Sequence, residues 1–130
     1  MDNKDRRKYP RVAIFDPISF TCTDSKDNAL EEDIGVALNA CQNGIQIESF
    51  RKIESEFALV RFVDLEMKNI EIKGKVIYSR KTESGVFKTG IRLLASHEKN
   101  VEFVKNLVKF YHYCKVKQKS SLHISEATSR

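Results

Sequence analysis

The feature that most limits the fold of this chain is an alternation of apolar and polar residues, which returns in short segments between residues 18 and 93. Successive side chains of a strand point to opposite faces, so a period of two is typical of strands that bury one face. The positions that share one parity are Ile18, Phe20 and Cys22; Val36, Leu38 and Ala40; Ile45 and Ile47; Ile70, Ile72, Gly74, Val76 and Tyr78; and Phe87, Thr89, Ile91 and Leu93. The segment 57–63 is instead a nearly continuous apolar run, broken by Arg61. These segments predict a mainly β fold of six antiparallel strands, arranged as a sheet or a barrel, and closure into a barrel would leave few open edges.

Turn-forming residues separate these segments, at 24–28, 42–44, 68–69 and 83–85. The dipeptide Asn43-Gly44 lies between two alternating runs. It is a strong hairpin signal, because type I′ turns need positive φ at both central positions. We therefore expect a tight hairpin with Asn43 and Gly44 at its tip.

After Ala95 the period of the apolar residues changes from two to between three and four. This stripe is typical of an amphipathic helix that lies across the barrel. Ser96 is a suitable N-cap, so we expect one C-terminal helix from about His97 to about Lys115. The apolar stripe consists of Val101, Val104, Leu107, Val108, Tyr111 and Cys114.

The 130 residues allow one domain, and the positive charge is concentrated at its two ends. Residues 1–11 and residues 115–130 each carry a net charge of +3, whereas the whole chain carries +5. Such ends suit an anionic partner. We expect 1–10 to be a flexible basic arm, 11–116 to hold the barrel and helix, and 117–130 to be a disordered polar tail.

Several classes of protein are not expected from this sequence. No apolar run approaches the ~18 residues that cross a bilayer, and the first residues do not resemble a signal peptide. The chain has three cysteines, an odd number, without the spacing of metal ligands: Cys22, Cys41 and Cys114. No disulfide framework or metal site is therefore predicted. Cys22 and Cys114 lie in apolar patterns and are expected in the core. The sequence has no motif of a phosphate loop, hydrolase or metalloprotease. We expect a cytoplasmic protein that is not an enzyme, has no cofactor and does not contact membranes.

Arginines are concentrated just before the first predicted strand. Arg7 and Arg11 have the spacing RxxxR, Arg6 precedes them, and Pro10 keeps the intervening residue extended. In extended chain this spacing covers roughly 13 Å, so both guanidinium groups reach one ligand only if the segment wraps around it. Guanidinium groups bind phosphate oxygens and guanine edges bidentately.

A second motif runs from Asn39 to Gly44, at the end of a predicted strand and into a tight turn. Such a turn exposes backbone N–H groups and small polar side chains, which can complete an anion or base-edge site. Taken alone, the segment is better explained as an ordinary hairpin.

The two motifs together resemble the PilZ family, bacterial domains that bind the second messenger cyclic di-GMP. Arg7 to Arg11 matches the family's RxxxR segment, and Asn39, Cys41 and Gly44 stand at the fixed positions of its (D/N)xSxxG motif. The segments 74–80 and 90–94 are similar to the family's closing strands. The resemblance implies a PilZ-like split barrel with one C-terminal helix, and a ligand site formed by Arg6, Arg7, Arg11, Asn39, Cys41 and Gly44.

Cys41 departs from the family pattern, which has serine at this position. A thiol is a weaker hydrogen-bond donor than a hydroxyl, and a lost hydrogen bond to a charged acceptor costs roughly 1.5–3 kcal/mol. We expect weakened binding, with micromolar affinity, because the arginines, Asn39 and Gly44 remain. The amide oxygen of Asn39 can accept from a guanine N–H.

The resemblance implies a physical mechanism rather than catalysis. The ligand's phosphates and guanines bring Arg7 and Arg11 onto the barrel beside Asn39, and Arg6 can add a phosphate contact. The ordered arm then presents a new surface to a downstream protein that the sequence does not identify. Ligand stoichiometry stays open, as does the choice between monomer and homodimer.

Two alternatives remain. In one, the domain is a degenerate PilZ-like adaptor that contacts proteins without binding cyclic di-GMP. In the other, a small basic barrel binds single-stranded nucleic acid through its ends. Nucleic acid is not the expected partner, because the sequence lacks interleaved surface aromatics that stack bases.

Overall fold

The computed structural model describes the backbone of residues 11–128 and the side chains of residues 11–117. Six strands precede one helix within this part of the chain. They are β1 (Val12–Thr23), β2 (Ala29–Cys41), β3 (Gly44–Ser49), β4 (Phe57–Val63), β5 (Asn69–Lys81), β6 (Phe87–Leu93) and α1 (His97–Thr128).

The strands form a closed barrel in the order β1-β2-β3-β6-β5-β4, and every neighbouring pair is antiparallel. The predicted six-stranded barrel with a C-terminal helix is therefore confirmed. Apolar side chains from all six strands point inward, and Phe20, Ile47 and Val60 are fully buried among them.

Helix α1 packs against the barrel through part of the predicted stripe and also through Phe103, which the predicted stripe does not include. Phe103, Val104 and Leu107 are buried, and the Phe103 ring meets Phe62 edge to face at 5.4 Å between ring centroids. Burying such side chains stabilises the fold by about 1.5–3 kcal/mol each, which fastens the helix to the barrel. The stripe ends before Cys114, which is exposed, so its predicted core position is wrong, whereas Cys22 is buried as predicted.

The helix begins where the sequence predicts and ends later. Ser96 Oγ accepts a hydrogen bond from the backbone N–H of Lys99 at 3.2 Å, which is the geometry of an N-cap. The helix ends at Thr128 rather than near Lys115. No glycine or proline follows Gly90 in the sequence, so none of the residues that usually end a helix is present there. Residues 117–128 are helical, whereas the composition predicts a loose tail.

A β-bulge in β2 changes which of its residues face the core. Ala37 pairs with Ile47 and Asn39 with Gln46, so Leu38 is an extra residue without its own partner in β3. Ala37 and Ala40 are consequently buried, whereas the even alternation predicts Val36, Leu38 and Ala40 inside. The bulge places Asn39 on the outer surface.

A second bulge lies in β5, at Ile77. Val76 pairs with Ile91 and Tyr78 with Gly90, although these β6 partners are adjacent. Tyr78 therefore faces outward and not toward the core with Ile72, as the uninterrupted period predicts. Two bulges thus lie beside the same region of the barrel surface.

The hairpin between β2 and β3 forms as predicted, but its tip is one residue earlier. Cys41 pairs with Gly44, so Gln42 and Asn43 form the two-residue loop. Within the described chain, positive φ occurs at Asp27, Met67 and Gly85, so this turn is not of type I′. Gly44 is needed for another reason: a Cβ there would lie 2.8 Å from the carbonyl oxygen of Ile91.

Over the same described residues, α1 is not long and apolar enough to cross a membrane.

Candidate ligand-binding site

Four residues on neighbouring strands form one row across the outer surface of the barrel. Asn39 of β2 pairs with Gln46 of β3, Gln46 pairs with Gly90 of β6, and Gly90 pairs with Tyr78 of β5. Directly opposed residues on a sheet have Cβ atoms about 5 Å apart, close enough for their side chains to interact.

Hydrogen bonds join the side chains of this row. Asn39 Nδ2 donates to Gln46 Oε1 at 2.9 Å, and Gln46 Nε2 donates to the Tyr78 hydroxyl at 2.8 Å. All three residues are half-buried. The Asn39 amide is therefore held by a chain of two hydrogen bonds and does not rotate freely.

The Tyr78 ring lies directly on Gly90. A Cβ built at Gly90 would collide with the ring, so only glycine permits this contact. The Arg80 guanidinium lies over the ring at 4.6 Å from its centroid, a cation–π distance. These two contacts fix the ring that carries the hydroxyl.

The next row of paired residues contributes the hairpin and a cation. Cys41 pairs with Gly44, and Gly44 pairs with Arg92 of β6. The register of β1 with β2, in which Val12 pairs with Ala40, brings Arg11 alongside the same hairpin. The first residue after the N-terminal arm therefore lies beside the second motif.

These rows enclose a cavity of about 200 Å³ on the barrel surface. Of the predicted site residues, Arg11, Asn39, Cys41 and Gly44 all line it. Arg6 and Arg7 lie outside the described residues, so their positions remain predictions. The remaining lining residues are Asn43, Ile45, Gln46, Ile77, Tyr78, Gly90, Ile91 and Arg92.

The cavity has a positive electrostatic character. Arg11 and Arg92 are exposed, and neither has a carboxylate within 4.0 Å among the described side chains. By contrast, Arg61 is ion-paired with both Glu32 and Glu71. Unpaired guanidinium groups at a concave surface favour an anion.

Sequence reasoning missed Gln46, Tyr78 and Arg92 as site residues. A turn at Gln42-Asn43 would have opposed Asn39 to Gln46 by simple counting, but the expected tip at Asn43-Gly44 concealed this pairing. The positions of Tyr78 and Arg92 depend on pairing between strands that are distant in sequence, and no local signal marks them.

A larger apolar groove of about 570 Å³ lies elsewhere on the barrel, and no predicted site residue lines it. Ile34, Val36, Phe50, Phe62 and Phe110 contribute to its lining. Within residues 11–117, no group of three or more His, Cys, Asp or Glu side chains is arranged to hold a metal ion.

No protein-family model matches the chain, and no curated protein matches it in sequence. Solved structures do resemble it. The PilZ domain of YcgR from Escherichia coli with c-di-GMP has a TM-score of 0.57 at 12% identity, over 88% of this chain and 98% of that one. The Bacillus subtilis inhibitor of motility, MotI/DgrA, has a TM-score of 0.55 at 15% identity, over 81% of this chain and 50% of that one.

The MrkH–c-di-GMP complex of K. pneumonia has a TM-score of 0.56 at 12% identity, over 88% of this chain and 56% of that one. The chain thus spans about half the length of MotI/DgrA and of MrkH, but almost the whole PilZ domain of YcgR. Identities this low carry an argument about the fold alone. The six-stranded barrel and its terminal helix therefore have a PilZ-like fold.

Proposed function

We propose that this chain is a cyclic di-GMP receptor that binds the dinucleotide at the cavity between Arg11, Asn39, Cys41 and Gly44. The observation that carries the proposal is that Arg11, the last residue of the RxxxR segment, lines the same concave, positively charged surface as Asn39, Cys41 and Gly44. The similar folds of YcgR and MrkH, both solved with c-di-GMP, support the choice of ligand.

The chemistry of the lining fits a guanine-containing phosphodiester. Arg11 and Arg92 can each donate bidentately to phosphate oxygens or to guanine O6 and N7. Asn39 presents an amide to a base edge, and Gly44 allows a ligand to approach the backbone closely. None of these groups requires a chemical step, so the proposed activity is binding and not catalysis.

The size of the cavity indicates that more of the chain takes part. Pockets that enclose drug-sized ligands measure about 300–1,000 Å³, more than the 200 Å³ found here. We assign the missing enclosure to the arm that precedes Arg11, whose Arg6 and Arg7 would close over the ligand. Ordering each arm residue costs roughly 1–2 kcal/mol, which charge-assisted hydrogen bonds must offset. The ordered arm would then form the surface that a downstream protein recognises.

Isothermal titration calorimetry with cyclic di-GMP tests the proposal. We expect micromolar binding that weakens as salt rises, since the contacts are between guanidinium groups and phosphates. Arg11→Ala and Arg7→Ala should each weaken binding at least tenfold, the effect of losing one charge-assisted contact.

Arg51→Ala is the matched control. It removes the same charge from an exposed arginine whose ion pairs with Glu31 and Asp33 are at the surface. Binding by Arg51→Ala should equal that of the unaltered protein. Absence of heat with the unaltered chain at high micromolar concentrations contradicts the proposal.

A protein adaptor that does not bind the ligand is the second candidate. Two observations favour it: Cys41 replaces the serine of the family motif, and the apolar groove exposes Ile34 and Phe50 to solvent. If Cys41→Ser creates binding where the unaltered chain has none, the adaptor is the better description.

Tight retention of generic single-stranded nucleic acid in a gel shift at physiological salt would instead favour a nucleic-acid-binding protein. For each of these functions we propose a cytoplasmic location, because the odd number of cysteines does not indicate a disulfide framework.

A further inference from the structure

We infer that Gln46 and Tyr78 are positioning residues that hold the Asn39 amide with its oxygen toward the ligand, the orientation that the nearby arginines favour, and that they thereby help the site to select guanine over adenine. This inference rests on the proposed function. It concerns two residues that neither sequence motif contains.

The polarity of the hydrogen-bond chain is the starting point. An asparagine amide is a donor at Nδ2 and an acceptor at Oδ1, and a half-turn of the group exchanges them. Here Nδ2 donates to Gln46 Oε1 at 2.9 Å, so Oδ1 is directed away from Gln46. Gln46 has the matching orientation, with its Nε2 donating to the Tyr78 hydroxyl at 2.8 Å. A hydroxyl can also donate, so this contact holds the Gln46 amide in place while the charges around Asn39 decide the polarity. Asn39 therefore offers an acceptor to the cavity.

The last member of the chain is anchored by packing. The Tyr78 ring rests on Gly90, where any side chain would collide with it, and Arg80 covers the ring at 4.6 Å from its centroid. A hydroxyl on a ring held in this way has a fixed position. It holds the Gln46 amide through one hydrogen bond, and Gln46 holds the Asn39 amide through the other.

The opposite polarity would use the same contacts, with the Tyr78 hydroxyl donating to Gln46 and Gln46 donating to Asn39. It would direct the Asn39 NH₂ group into the cavity that Arg11 and Arg92 line. A donor facing two cations is electrostatically unfavourable, whereas a carbonyl oxygen facing them is favourable. The surroundings of Asn39 therefore support the observed polarity.

A fixed acceptor distinguishes the two purines. The Watson–Crick edge of guanine carries hydrogens on N1 and on the 2-amino group, and both can be donated to Asn39 Oδ1. In the same pose, adenine turns the lone pair of N1 toward that oxygen. A site with a fixed hydrogen-bonding group rejects an analogue that cannot pair with it far better than an adaptable site does.

The test compares the dissociation constants for cyclic di-GMP and cyclic di-AMP, and the diagnostic quantity is their ratio. Tyr78→Phe removes the acceptor for Gln46 Nε2 and frees both amides to turn, so the preference for cyclic di-GMP should fall about tenfold. Adding Gln46→Glu to Tyr78→Phe should restore the preference, because a carboxylate can only accept from Asn39 Nδ2. The added negative charge should weaken the binding of both dinucleotides equally, so the ratio of their dissociation constants should not change. Tyr113→Phe, on the exposed side of α1, is the matched control.

If Tyr78 has only a structural role, Tyr78→Phe should weaken the binding of both dinucleotides by the same factor. That outcome overturns the inference, as does failure of Gln46→Glu to restore the ratio, or a preference for cyclic di-AMP in the unaltered protein. A chain that binds neither dinucleotide contradicts the proposed function as well.

A measurement without ligand separates the two failures. In ¹H–¹⁵N NMR spectra of the free protein, the side-chain amide signals of Asn39 and Gln46 should exchange slowly with solvent. They should lose this protection in Tyr78→Phe but not in Tyr113→Phe. Unprotected signals in the unaltered protein overturn the hydrogen-bond chain itself, whatever the ligand.

Discussion

At the scale of single residues, the site combines strong and weak hydrogen-bonding groups on one hairpin. Asn39 is oriented by its neighbours, Gly44 keeps the backbone accessible, and Cys41 lies between them with a thiol in place of a hydroxyl. Under the proposed function, the residue at position 41 would change the affinity for the ligand without altering the arrangement of the others.

Cys41→Ser should strengthen cyclic di-GMP binding. A hydroxyl donates to a phosphate oxygen better than a thiol does, and a gain of about 1.5–3 kcal/mol corresponds to roughly ten- to a hundredfold in dissociation constant. Calorimetric titration measures this gain. Cys114→Ser, on the exposed surface of α1, is the control and should leave the affinity unchanged. Equal affinities for Cys41→Ser and the unaltered chain would show that residue 41 does not contact the ligand.

At the scale of elements, the local sequence accounts for where α1 begins and not for where it ends. The start is marked by Ser96, whose side chain caps the first turn, and by Glu98, whose charge suits the helix dipole. Packing of Phe103 and Leu107 against the barrel then holds the helix in place.

Ser96→Ala should lower the free energy of unfolding by about 1 kcal/mol, because the N–H of Lys99 loses its acceptor. Urea denaturation followed by circular dichroism measures the loss. Ser96→Asp keeps an acceptor at the same position and should retain most of the stability. An unfolding midpoint that does not change in Ser96→Ala would mean that the cap contributes nothing.

The strands show the same division between local and distant influences. Alternation predicts six strands correctly, since each strand's pattern is contained in consecutive residues. It misplaces Leu38 and Tyr78, because a bulge inserts one residue into the pattern and reverses the faces that follow. Both bulges border the candidate site and turn Asn39 and Tyr78 outward, the orientation that the proposed binding requires.

At the scale of the whole molecule, closure of the barrel buries the carboxyl group of Asp16. Asp16 is 1% exposed, and within the described chain its Oδ2 has no hydrogen-bond partner. Burial raises the pKa of Asp16 from 3.8 to about 7. The folded protein therefore holds a proton there that the unfolded chain has already released.

This retained proton makes stability depend on pH. Between about pH 4 and pH 7 the folded state binds the additional proton, so the contribution of Asp16 to stability falls as pH rises and levels off above about 7. Asp16→Asn removes this dependence. Its free energy of unfolding, relative to that of the unaltered chain, should rise by about 3 kcal/mol between pH 4.5 and pH 8.

Urea denaturation at the two pH values measures the difference. Glu83→Gln, in an exposed turn, serves as the control and should follow the unaltered chain at both. Parallel pH profiles for Asp16→Asn and the unaltered protein would mean that Asp16 titrates normally in the fold.

Neighbouring residues were enough to predict the strands, the presence of the β2–β3 hairpin, the start of α1, and the two motifs with Arg11, Asn39, Cys41 and Gly44. Their signals are periodicity, turn chemistry and spacing, which lie within a few positions of each other. Only the folded barrel shows that Gln46, Tyr78 and Arg92 line the cavity and that Asp16 is buried. These outcomes follow from cross-strand register, bulges and barrel closure, which bring together residues far apart in the chain, and no local pattern records such pairings.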